Sequence, residues 1–181
     1  MLELTIPERE LFDEDTQEFI SVKETTIRLE HSLVSISKWE SKWKKPFLKQ
    51  KQRFSREEME DYIRCMTISQ NVNPMVYKAF TAVELEKVSA YINDERTATT
   101  FGKLDGSRPS RQVVTSELIY YWMTAYQIPW EAQKWHLSRL LTLIEICNIK
   151  NGSNKKMSKS AILNRNRTLN AQRRAAMNSK G

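Results

Sequence analysis

Glycine is scarce in this 181-residue chain, which holds four against a usual share of about 7%. So few glycines leave little room for tight turns or for the phosphate-cradling loops of nucleotide-binding folds, and they favour helices. Cysteine is scarcer still. Cys65 and Cys147 lie far apart and outside any C-x-x-C pair, which excludes a disulfide framework and predicts two buried thiols in a reducing compartment. His31 and His136, the two histidines, have no metal-ligand spacing around them, so no metal site is expected. His136, beside Trp135, is expected to be a satisfied core or boundary residue. No stretch approaches the ~18 consecutive apolar residues of a membrane span. The opening residues Met1-Leu-Glu-Leu-Thr-Ile lack the basic and long apolar regions of a secretion signal. A cytoplasmic protein is therefore expected.

Catalytic patterns are missing as well. There is no Gly-rich phosphate loop, no H-E-x-x-H and no nucleophile elbow. The acidic pairs Glu57-Glu58 and Asp13-Glu14-Asp15 are accounted for by a helix start and a solvated loop. Neither an enzyme nor a bound cofactor is expected.

One further absence organises the chain: no Asp or Glu follows Glu145. Residues 146–181 carry nine Lys and Arg, whereas residues 1–145 carry 20 basic and 22 acidic residues. All of the net charge of +7 therefore belongs to the last fifth of the sequence. With a hydrophobic fraction of 40% and a charged fraction of 28%, the remainder has the composition of an ordinary globular domain.

What is present reads as mainly α: a small helical domain with an N-terminal β-hairpin and a projecting basic C-terminal helix or tail. Residues 1–31 alternate and carry β-branched runs, Phe19–Val22 and Thr25–Leu29 flanking a Lys23-Glu24 turn, as in a hairpin packed on the body. The body is expected over 32–149. Leu33, Ile36, Trp39 and Trp43 recur at helical spacing until Pro46 stops the run. Ser55 with Glu58 and Thr81 with Glu84 form capping boxes, and Asn73-Pro74 pairs a cap residue with a helix-opening proline. Residues 93–112 read as the one long loop. Two apolar helices follow, Ser116–Tyr126 and Trp130 to about Asn148, joined by Gln127-Ile128-Pro129. They are expected to pair antiparallel at the centre of the core. Residues 150–158 form a polar hinge. The basic segment 150–181 then carries a final helix with a thin apolar face, marginal alone in water and expected to order on a partner.

Partner binding is the function this pattern supports. Trp122 and Trp135 are expected in the core. Trp39 and Trp43 sit among Lys38, Lys42, Lys44 and Lys45, where core and contact surface are both open. For the tail, a protein partner, nucleic acid phosphates and a solvated appendage are the alternatives. The lack of aromatics after Trp135 argues against a single-strand stacking platform, and the tail lacks the apolar anchor of a membrane-binding segment. The contact residues expected are Leu163, Arg165, Arg167, Leu169, Arg173 and Arg174 of the tail, with Trp39 and Trp43.

Four segments also resemble a known family. LEHSLVSISKWESKWKKPF (29–47), DYIRCMTISQN (61–71), SELIYYWMTAYQIPWEAQKWHLSRLLTLIEICNIKN (116–151) and RNRTLNAQRRAAMNSKG (165–181) are similar to the tail assembly chaperones of long-tailed (siphovirus) bacteriophages. The resemblance runs over nearly the whole chain and is poorest at 93–112. It implies a non-enzymatic factor of the host cytoplasm that binds the tape measure protein and keeps it soluble while the tail tube polymerises round it. It also implies manufacture in two lengths by ribosomal frameshifting, with this chain matching the short form. That family has no catalytic residues to carry over. Alternatives from the residues are a nucleic-acid-binding protein acting through the basic tail and a structural tail or connector component of the virion. Self-association stays open too.

Overall fold

The computed structural model describes residues 1–13, 17–49, 54–99, 113–152 and 159–177. The chain divides into two compact units, Met1–Ile144 and Glu145–Gly181. The architecture is mixed, predominantly helical with a small antiparallel β component.

Four strands open the first unit: β1 (Leu2–Ile6), β2 (Arg9–Asp13), β3 (Glu18–Val22) and β4 (Thr25–Leu29). Phe19–Val22 and Thr25–Leu29 are strands as expected, but they do not pair with each other. β1 pairs with β4, and β2 pairs with β3. Leu2 faces Leu29, Ile6 faces Thr25, Arg9 faces Val22 and Asp13 faces Glu18. One register runs through both ladders, so they form a single long hairpin interrupted where Pro7 and Glu8 lie opposite Lys23 and Glu24. Pro7 has no N–H to give the ladder, and the expected Lys23-Glu24 turn is instead this interruption. Leu4, Ile6, Ile27 and Leu29 are buried, alternating with outward polar residues along the strands. The other edge of β4 is closed by residues 66–69: the N–H of Ile68 donates to the Arg28 carbonyl at 2.8 Å, and that of Glu30 to the Met66 carbonyl at 2.9 Å.

Helix starts follow the local signals closely. α1 (Leu33–Trp43) begins at Ser32, whose hydroxyl accepts from the Ser35 N–H. α2 (Arg56–Met66) begins at the Ser55 box, where the Glu58 N–H meets the Ser55 hydroxyl at 3.1 Å and the Ser55 N–H meets Glu58 Oε2 at 2.9 Å. Asn73 Oδ1 accepts from the Met75 N–H at 3.0 Å and opens the short α3 (Met75–Lys78). α4 (Ala82–Ile92) starts where the Thr81 N–H and hydroxyl both donate to Glu84. The Arg9 guanidinium also grips Glu84, at 2.8 Å, tying the hairpin to α4. These donors, Arg9 first, hold the Glu84 carboxyl down at about 2. α5 spans Ser116–Ala125.

The expected long helix from Trp130 is broken. Trp130–Lys134 is a 3-10 helix, Trp135 is extended, and α6 runs Leu137–Gly152. The break serves a tertiary purpose: His136 bridges to Ser32, and the Leu137 N–H donates to the His31 carbonyl at 2.8 Å. The imidazoles of His31 and His136 stand 5.3 Å apart. His31 Nδ1 is hydrogen-bonded to the Tyr62 hydroxyl, and His136 Nε2 to the Tyr91 carbonyl at 3.1 Å. Burial, seconded by the neighbouring His136, pulls His31 down to about 3, and burial lowers His136 as well. His136 is buried and satisfied, as expected.

The centre of the core is α1 rather than the pair of helices after Ser116. It packs on α2, α5 and the 3-10 helix. Its buried Glu40 accepts from the Phe47 N–H at 2.7 Å and from the Ser116 N–H, the first residue of α5, at 2.8 Å. A carboxylate thus closes two backbone donors that would otherwise be orphaned. Cys65 and Cys147 are half-buried rather than buried, and burial pushes the Cys65 thiol up. Trp122 packs partly buried against the core, whereas Trp135 is 40% exposed. In the second unit, α7 spans Lys159–Met177. Residues 100–112 of the expected loop and 153–158 of the expected hinge lie outside the described residues. No described helix is long and apolar enough to cross a membrane.

Candidate partner-binding surfaces

Trp39 is not a contact residue. It is fully buried, its Nε1 donates to the Glu58 carbonyl at 2.9 Å, and the rings of Phe47 and Phe54 meet it edge-on, each at 5.3 Å. Trp43, half-buried, stacks against Trp39 at 6.2 Å and donates to Asp61 Oδ2 at 2.9 Å. Two of the four lysines around it are spoken for. Lys42 pairs with Asp61 and Lys45 with Glu58, both acids belonging to α2, and both ammoniums lie within 6 Å of the Trp43 ring centroid (5.7 and 5.8 Å). What reads in sequence as an aromatic–basic surface is a seam between α1 and α2, sealed by α2 carboxylates.

The tail residues behave differently. Every described side chain of α7 is exposed, including Leu163 at 56% and Met177 at 76%. Leu163, Arg167 and Arg174 fall four and seven residues apart and share one face. Leu169 and Arg173 lie on an adjoining face. The expected single stripe is therefore two, each combining a leucine with arginine. Arg165 is on α7, its side chain outside those described. With no acid between Lys159 and Met177, these arginines have no carboxylate on their own helix.

A third surface escaped the sequence reading. Phe12 and Phe19 are cross-strand partners with ring centroids 5.2 Å apart, and they are 50% and 72% exposed. The register explains why. Val22 and the Glu84-bound Arg9 turn towards the body, so Glu10, Phe12, Phe19 and Ser21 must face away from it. Strand alternation carried that signal, but only the correct partner strand converts it into a face.

Two open clefts, of about 660 and 650 Å³, mark the first unit, one bordered by Ser37, Ser41, Lys44 and Thr115, the other by Leu4, Lys87, Tyr91 and Arg96. Glu40, also on the first, is engaged by its two backbone donors. Among the described residues no group of three or more His, Cys, Asp or Glu is placed to hold a metal ion. No protein-family model matches the chain, and neither a curated protein nor a solved structure does.

Proposed function

We propose that this protein is a non-enzymatic bacteriophage tail assembly chaperone, acting in the host cytoplasm, that binds the tape measure protein and keeps it soluble during tail assembly. The observation that carries the reading is α7. A nineteen-residue helix with every described side chain in solvent and unsheltered leucine and methionine gains little stability alone. It gains more by laying an apolar stripe on another helix, the mode in which amphipathic helices are recognised. Arginines flanking that stripe supply charge-assisted hydrogen bonds to carboxylates on the client. The resemblance of four segments to tail assembly chaperones gives the client its identity.

The test is capture from nuclease-treated infected-cell lysate by the full chain and by a truncation ending at Gly152. The full chain is expected to retain the tape measure protein and the truncation to lose it. Loss of all bound material on nuclease treatment would transfer the tail to nucleic acid. Presence of the protein in purified particles would make it a permanent tail component.

A further inference from the structure

We infer that the open edge of β1 is a docking groove for an extended, acidic segment of another protein, which adds to the sheet as a further strand between β1 and α4. This goes beyond the client reading and does not rest on it, since no residue of α7 takes part.

Register opens the edge. Arg28 turns its backbone groups away from β1: its carbonyl accepts from the Ile68 N–H at 2.8 Å, and its N–H donates to the Ser69 hydroxyl at 3.0 Å. In an antiparallel ladder the residue opposite such a residue also turns its backbone outward, and every second pair repeats the pattern. Glu3 lies opposite Arg28, and Thr5 lies opposite Thr26. The N–H and C=O groups of Glu3 and Thr5 therefore point away from β4. Among the described residues nothing bonds to them. The far edge of the same ladder is closed by residues 66–69. Proline and lysine, common means of blunting an edge, are absent from Leu2–Ile6.

A helix walls this edge. α4 runs alongside β1 in the opposite direction. Arg9, just past β1, binds Glu84 in the first turn of α4. At the other end the Tyr91 hydroxyl donates at 2.6 Å to Glu30, which follows Leu29, the partner of Leu2. The cleft of about 650 Å³ lies between them, with Glu3 and Thr5 on one side and Lys87, Ala90 and Tyr91 on the other. A sheet edge facing a helix across a groove suits strand addition, in which main-chain hydrogen bonds give affinity and side-chain contacts give specificity. Charge selects the occupant. Asp94 holds Arg96 at 2.8 Å, Arg9 takes Glu84, and Glu3 faces Arg28 across the ladder. The exposed Lys87 has no carboxylate partner among the described residues. An incoming strand that carries Asp or Glu supplies one. A second copy of β1 arrives with its own Lys87, setting cation beside cation.

Amide exchange of the full chain, followed by NMR against synthetic peptides, tests this. The probes are acetyl-Thr-Val-Thr-Val-Thr-Val-amide peptides carrying one Glu at each successive position, and a matching set carrying Lys. At least one Glu peptide is expected to slow exchange of the Glu3 and Thr5 amides, leaving Leu4, already bonded to β4, unchanged. It should bind about tenfold tighter than its Lys counterpart, the scale of one charge-assisted hydrogen bond. Lys87→Glu is expected to reverse that preference. Thr5→Pro, which removes an outward N–H and none that faces β4, should abolish binding while circular dichroism stays native. Should the proline variant unfold, the charge reversal at Lys87 decides alone. The proposal is overturned if no peptide protects Glu3 and Thr5, or if Lys87→Glu leaves the preference unchanged. Protection that rises with the concentration of the chain alone would assign the edge to a second copy, and overturns it too.

Discussion

α1 and α7 both interleave large apolar residues with cations, yet one lies at the centre of the core and the other stands in solvent. The difference comes from neighbours rather than from the helices themselves. Opposite Lys42 and Lys45, α2 places Asp61 and Glu58, so the lysines are neutralised at the rim, with their ammoniums beside the Trp43 ring. α7 lies in a region without acids after Glu145, and its leucines keep their arginines as company. An aromatic–basic run is thus core when a second element brings carboxylates to it and surface when none does.

The comparison is broken most severely at Trp39. Trp39→Ala empties a fully buried site and is expected to cost about 4 kcal/mol, read as a lower urea midpoint at unchanged slope. Acid comes next, acting at the residue just before the α1 cap. His31 titrates near 3 when folded and near 6.5 when unfolded, so the unfolded chain binds the proton first. The stability held by neutral His31 is whole above pH 6.5 and is lost as pH falls towards 3, about 2 kcal/mol of it by pH 5. Thermal melts across that window measure the slope, and His31→Gln should flatten it. Asp61→Ala removes the acceptor of the Trp43 N–H and Lys42 and should cost about 1–2 kcal/mol. Leu163→Ala in the exposed α7 should stay within about 0.5 kcal/mol of the native stability while weakening capture of the client. A large stability loss there would show that α7 is packed like α1.

How much was legible follows the same division. The Ser55–Glu58 and Thr81–Glu84 boxes were readable because cap and partner lie three residues apart. The strands at 18–22 and 25–29 were readable from β-branched residues. Their pairing was not, since register depends on residues up to 27 positions apart (Leu2 with Leu29). The break at Trp135-His136 was hidden for the same reason: a helical pattern gave way to a backbone bridge with Ser32, a hundred residues earlier. Trp39 was undecidable alone because its seal, Glu58 and Asp61, sits on another helix. The tail needed no neighbour to be read. Its charge is a property of composition, and composition is the part of a sequence that needs no fold.

The continuous register of the hairpin has a consequence for synthesis. Residues 2–29 can zip in about 1–10 μs once Leu29 is available, since both strands are then already made. The elements that meet them come later: the 66–69 segment that edges β4, then α4, which packs on β1. At about 5–20 residues per second, that interval lasts on the order of ten seconds. Throughout it Leu4, Ile6, Ile27 and Leu29 lack their cover, and an uncovered two-stranded ladder is only marginally stable in water, so the segment that can close first opens and recloses many times before it is sealed.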